Sequence, residues 1–139
     1  MIFLDANYWL RALVAPATHH DEARAATAVA LFQAVMRGTQ DATSSEAILA
    51  EVAFVLGSPK HYGLTPFEII GRLRPIISAA SFKMPHKRRY LRTLDIWESH
   101  PRIGFVDALT AAYTEDSRDE LATFDAHFDA IPGITRYRP

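Results

Sequence analysis

Apolar and polar positions along the chain fall into short apolar runs and longer stretches of helical period. Ile2 to Leu4 is a brief apolar run that predicts a buried first strand ending at Asp5. Tyr8 to Val14 predicts a short helix halted near Pro16. Asp21 to Arg37 is alanine-rich with Val29, Leu31, Phe32, Val35 and Met36 apolar, and Gly38 supplies a C-terminal stop. Thr43-Ser44-Ser45-Glu46 has the capping-box pattern, opening a helix through Ile48 to Leu56 and Gly57. Thr65-Pro66-Phe67-Glu68 repeats that pattern with proline at the first helical position, for a helix to about Ala79. Ser81 to Met84 reads as a short strand, Lys87 to Glu98 as a charged amphipathic helix ended by Pro101, and Val106 to about Glu115 as another helix. Leu121 to Phe124 predicts a strand ending at Asp125, and Ile134 to Tyr137 a last, edge strand.

Strands separated by helices predict an α/β fold with a parallel sheet covered on both faces. In such sheets the site lies at the carboxyl ends of the strands, where Asp5 and Asp125 both fall. The 139 residues, without repeat or linker-like stretch, are expected to form one domain over residues 1–139. With 49% hydrophobic and 22% charged residues, a packed core is within reach and disorder is not expected. The absence of cysteine excludes disulfides and thiolate metal sites. The start of the sequence has no signal-peptide pattern and no apolar run approaches a membrane span, so a soluble, cytoplasmic protein without a membrane partner is expected. A net charge of −1 argues against a broad cationic surface, which makes the placement of charge more informative than its sum.

Four acids stand out by placement. On a helix, Glu51 shares a face with Ala47, Ile48, Phe54 and Val55, where a carboxylate is expected to be desolvated unless a cation holds it ionised. Asp107 opens a helix among small and apolar residues and is expected to point inward, although stabilising the helix N-terminus explains it equally well. Asp5 alone is an ordinary turn residue after a strand, and Asp125 alone an ordinary cap on Ala126-His127-Phe128. Gathered in one place, four carboxylates repel one another and call for a counter-ion. Mg²⁺ or Mn²⁺ prefers such oxygen ligands and, so held, activates water against a phosphodiester.

Phe3-Leu4-Asp5, Leu49-Ala50-Glu51-Val52, Val106 to Ala112 and Thr123-Phe124-Asp125-Ala126-His127-Phe128 resemble the four acidic motifs of PIN domains. In size, order and spacing they are most similar to the VapC-type toxins of bacterial and archaeal toxin–antitoxin pairs. The resemblance runs almost end to end. It implies a five-stranded, mainly parallel sheet flanked by helices, dependence on Mg²⁺ or Mn²⁺, and endonucleolytic cleavage of RNA. It also implies a homodimer neutralised by a small antitoxin. By position, Asp5, Glu51, Asp107 and Asp125 become the metal-binding and catalytic acids. Thr123 falls where a hydroxyl orients the last carboxylate, and Asn7 where relatives carry Ser or Thr.

Around this centre, Lys83, Lys87, Arg88, Arg89 and Arg92 form a basic run that either tracks RNA phosphates or is a solvated helix face, with the solvated face favoured. Arg11, close to Asp5, either binds phosphate at the rim or pairs with an acidic neighbour. His19 and His20 are expected in a loop, Asp129 on the surface of its turn, and Trp9, Trp97 and Tyr8 as core or interface aromatics, with stacking on the bases of a single strand as the alternative. Two other functions remain open. One is a phosphatase or phosphoryl acceptor with Asp5 as nucleophile, in which many sites carry a second Asp where this chain has Asn7. The other is a non-catalytic module of the same fold that binds RNA or protein.

Overall fold

The computed structural model describes residues 1–16 and 18–139, the side chain of His20 aside. The chain divides into two compact units, Met1–Lys87 and Arg88–Pro139. Six α-helices and only short strands make up the described residues, a mixed α/β composition.

In the first unit, strand β1 (Ile2–Phe3) leads into helix α1 (Ala6–Leu13), then α2 (His19–Arg37), β2 (Ala42–Thr43), α3 (Glu46–Gly57) and α4 (Pro66–Ser78). β1 and β2 are parallel, with Ile2 opposite Ala42 and Phe3 opposite Thr43. The strand expected over Ser81 to Met84 reduces to one parallel bridge from Phe82 to Ala42. β2 was not anticipated, because two residues leave no periodicity to read. Its presence moves the start of α3: Thr43 is in the strand and Ser45 is the cap, accepting from the Ile48 N–H. The capping box at Thr65 is as expected, with Thr65 and Glu68 each satisfying the other's backbone N–H; such a cap contributes about 1 kcal/mol. Gly38 ends α2 at φ 82°, a left-handed conformation that glycine adopts without cost. His19 opens α2 behind the Thr18 cap instead of lying in a loop.

The core of this unit is apolar and closely filled. Trp9 is fully buried and meets Phe32 and Phe82 edge-to-face, at ring separations of 5.0 and 5.6 Å. Leu49, Val52, Ala53 and Leu56 form the buried stripe of α3, and Ile69, Ile70, Leu73, Ile76 and Ile77 that of α4. Both stripes follow the three- and four-residue spacing of an amphipathic helix.

The second unit contains α5 (Lys87–Ser99, whose first residue closes the first unit), α6 (Phe105–Ser117), β3 (Glu120–Leu121), a 3₁₀ turn (Ala126–Ala130) and β4 (Thr135–Arg136). β3 and β4 are parallel, Glu120 opposite Thr135 and Leu121 opposite Arg136. The predicted strand Leu121 to Phe124 is therefore shorter and begins one residue earlier. Trp97 is buried, packs edge-to-face on Phe105, and donates its indole N–H to the Ile103 carbonyl at 2.8 Å. No helix among the described residues is long and apolar enough to cross a membrane.

Candidate active site

Asp5 and Glu51 belong to the first unit, Asp107 and Asp125 to the second. Asp5 is the N-cap of α1 and its carbonyl accepts from the N–H groups of Tyr8 and Trp9. Its carboxylate makes no capping hydrogen bond, although capping is the usual work of an Asp there. The residue before it is fixed: the Ser44 hydroxyl donates to the Leu4 carbonyl at 2.8 Å inside the core. An exposed carboxylate is thus held on a rigid base at a helix N-terminus, where the backbone dipole favours negative charge.

Glu51 lies midway along α3, a helix that packs against α1. The desolvation expected for it does not occur. Glu51 is exposed, and Phe54, three residues on, is 74% exposed. The buried stripe of α3 passes through Leu49, Val52, Ala53 and Leu56, so Glu51 falls beside it. Apolar neighbours in sequence did not mean an apolar surrounding.

Asp107 is the third residue of α6, which starts at Phe105 behind a Gly104 cap, and is half-buried. It lies in the first turn, where it complements the helix dipole without itself being the cap. None of Asp5, Glu51 and Asp107 forms an ion pair among the described residues.

Asp125 is the most tightly set of the four. It caps the 3₁₀ turn, accepting from the backbone N–H of His127 at 2.8 Å, and Nδ1 of the His127 ring stands 2.7 Å from the same oxygen. Thr123 does not orient this carboxylate as expected. Its hydroxyl accepts from the backbone N–H of Asp125 at 3.1 Å and so holds the main chain. Sequence reasoning passed over Arg136, whose guanidinium forks onto Asp129 at 2.8 and 2.9 Å and donates to the Thr123 carbonyl at 3.3 Å. That fork spans both sides of Asp125, and it gives Asp129 a supporting role in the turn.

The backbone and ring of His127 hold the Asp125 carboxyl below the usual carboxylate range. Because the folded value is depressed, its stabilising effect is complete above the unfolded value and is lost as pH falls through the folded one. In a carbon-detected NMR titration Asp125 is expected to titrate below ordinary aspartates, and His127→Ala to move its midpoint upward. An unmoved midpoint in the variant would show that the His127 ring does not contribute to it and that the backbone N–H holds it down.

The basic residues resolve differently. Lys87 donates to the carbonyls of Ala79 and Phe82 and so ties the chain, and partial burial pulls its ammonium below the ordinary lysine range. Arg89 pairs with Asp116 and lies 3.9 Å over the Tyr113 ring, and Arg92 forks onto Glu115. Lys83 pairs with Asp41 at 2.8 Å. Only Arg88 of the run is exposed and without an ion pair among the described residues, in keeping with a solvated helix face. Arg11 pairs with Asp21 at 2.8 Å, and Asn7 is exposed in the first turn of α1.

The four acids offer hard oxygen donors only, the set that suits Mg²⁺ or Mn²⁺ and not a softer ion. Within neither unit do three Asp, Glu or His side chains gather into a metal-binding group among the described residues. The PIN domain family model matches residues 2–134, a span that includes all four acids. No curated protein matches the chain.

Proposed function

The chain belongs to the PIN domain family, whose members are generally nucleases that use divalent metal ions, and from that premise we propose that it is a Mg²⁺- or Mn²⁺-dependent endoribonuclease. The observation that carries this is the state of Asp5. It occupies a capping position, its side chain makes no capping hydrogen bond, and among the described residues it presents a carboxylate without an ion pair from a strand end held by Ser44. Among the described residues Glu51 and Asp107 likewise form no ion pair, and Asp125 is kept ionised. In this reading the two units form one domain, 1–139, built on the family's five-stranded parallel sheet, and the four acids share one divalent site.

The residues that would hold the ion are Asp5, Glu51, Asp107 and Asp125. When bound, it supplies activation of water and neutralisation of charge on the phosphodiester. The remaining work is done by the chain itself. Asp5 and Asp125 are pre-set by backbone hydrogen bonds, so little ordering is left to be done on binding. Asn7 adds an exposed amide two residues from Asp5 that is able to orient a phosphate oxygen or water.

The finer identity is that of a VapC-type toxin, a homodimer held inactive by a small antitoxin. Its support is the order and spacing of the four motifs in a chain of 139 residues. Expression of the chain alone is expected to arrest growth, and co-expression of the small protein encoded beside it to relieve the arrest. The activity is tested with purified protein on RNA. Dialysis against EDTA is expected to abolish cleavage, Mg²⁺ or Mn²⁺ to restore it, and Ca²⁺ to restore little. Full cleavage in EDTA would overturn the metal-dependent reading.

A further inference from the structure

We propose that the groove between α1 and α2 is a nucleotide subsite, in which Arg24 and Arg11 hold a phosphate of single-stranded RNA and Tyr8 stacks on a base. This rests on the nuclease reading and deepens it by naming where the strand runs beside Asp5.

The groove encloses about 380 Å³ and lies wholly within the first unit. Cavities of roughly 300–1,000 Å³ accept small ligands, so the space is that of about one nucleotide. It exists because α2 presents small residues, Ala23 and Ala28, to α1 at this level. Asn7, Tyr8, Arg11, Arg24 and Thr27 line the rest.

Their chemistry matches a nucleotide in three respects. First, two guanidiniums line the groove: Arg11 is paired with Asp21, but Arg24 is exposed and forms no ion pair among the described residues. The excess cation suits a phosphate monoanion, and a guanidinium fork binds phosphate well. Second, Tyr8 is 41% exposed, unlike its buried neighbour Trp9, and stands beside the cations. An accessible flat ring next to a guanidinium is what base stacking uses, and a peptide carboxylate has no need of it. Third, the Asn7 amide offers donors and an acceptor to a base edge, and the Thr27 hydroxyl, donating to the Ala23 carbonyl, keeps acceptor capacity.

Position supplies the link to function. α1 begins directly after Asp5, and Arg11 lies six residues on, roughly 9 Å along the helix axis. A strand with its scissile phosphate at Asp5 would therefore set a neighbouring nucleotide in the groove. A solvated basic run on α5 is not needed for this path.

The test measures binding of a short fluorescein-labelled oligoribonucleotide by anisotropy, with Mg²⁺, in the Asp5→Asn background, where the strand is held but not cut. Arg24→Glu is expected to weaken binding at least tenfold, an effect of about 1.4 kcal/mol, and Tyr8→Leu by a similar factor. Arg24→Ala should lower the slope of affinity against salt by about 0.7, one phosphate contact for a single strand. Arg37→Glu, the same reversal at the far end of α2, should leave affinity unchanged. Circular dichroism checks that each variant keeps its helices. If Arg24→Glu and Tyr8→Leu bind like their parent, the subsite is overturned, as it would be were the groove a seat for a partner protein's carboxylate. If the parent binds no oligoribonucleotide and the wild type cuts none, the nuclease reading fails and the subsite with it.

Discussion

Asp5→Asn is expected to slow RNA cleavage by at least about a hundredfold while leaving the fold in place. Asparagine is nearly isosteric and is as good an N-cap as aspartate, so α1 keeps its start. The native side chain makes no capping hydrogen bond, which leaves little for the substitution to break structurally. What it removes is the negative charge. Metal-assisted charge stabilisation contributes several kcal/mol, and each 1.36 kcal/mol is tenfold in rate, so losing about 2.7 kcal/mol gives the hundredfold. Single-turnover cleavage measures the effect, with thermal unfolding beside it as a control. A variant that cleaves at the wild-type rate would remove Asp5 from the reaction and with it the proposed site.

Trp9→Ala is expected to destabilise the first unit by about 3–5 kcal/mol, the range for truncating a large buried aromatic. Trp9 is fully buried and contributes both ring contacts that join α1 to Phe32 of α2 and to Phe82. Its indole N–H has no hydrogen-bond partner among the described residues. A buried unpaired donor costs about 1–3 kcal/mol, which offsets part of what the ring contributes. Trp9→Phe should therefore be much milder than Trp9→Ala, because it deletes the unpaired donor while keeping an aromatic ring. Urea unfolding followed by circular dichroism compares the two. Equal losses would mean that a phenyl ring recovers none of the indole's packing and that the unpaired N–H is not a liability. The consequence reaches the site, since Trp9 anchors the helix that Asp5 begins.

What could be read in the sequence was what is decided locally. The Thr65 capping box and the Gly38 stop depend on residues within one helical turn, and both stand where expected. Asp5 follows its strand for the same reason: a short apolar run followed by an acid has few alternatives. At the start of α3 two hydroxyls two residues apart competed for the cap, and the pairing of Thr43 with Phe3, a contact across 40 residues, decided for Ser45. Glu51 failed as a buried acid because helical spacing identifies a face without saying which face turns inward. Packing settles that, and here it chose Val52 and Ala53. Thr123 was placed beside the right residue but holds its amide, and Arg24 was invisible because nothing in the sequence marks a groove.

The Arg136 fork has a bearing on timing. It closes on Asp129, seven residues earlier, and on Thr123, thirteen residues earlier, so the turn that carries Asp125 is clamped from downstream. A ribosome adds about 5–20 residues per second, which puts an interval on the order of a second between the appearance of Asp125 and that of its clamp. During that interval the nascent chain has its acid but not the brace that sets the angle of the turn. The turn that carries Asp125 thus reaches its braced geometry only when translation has passed β4.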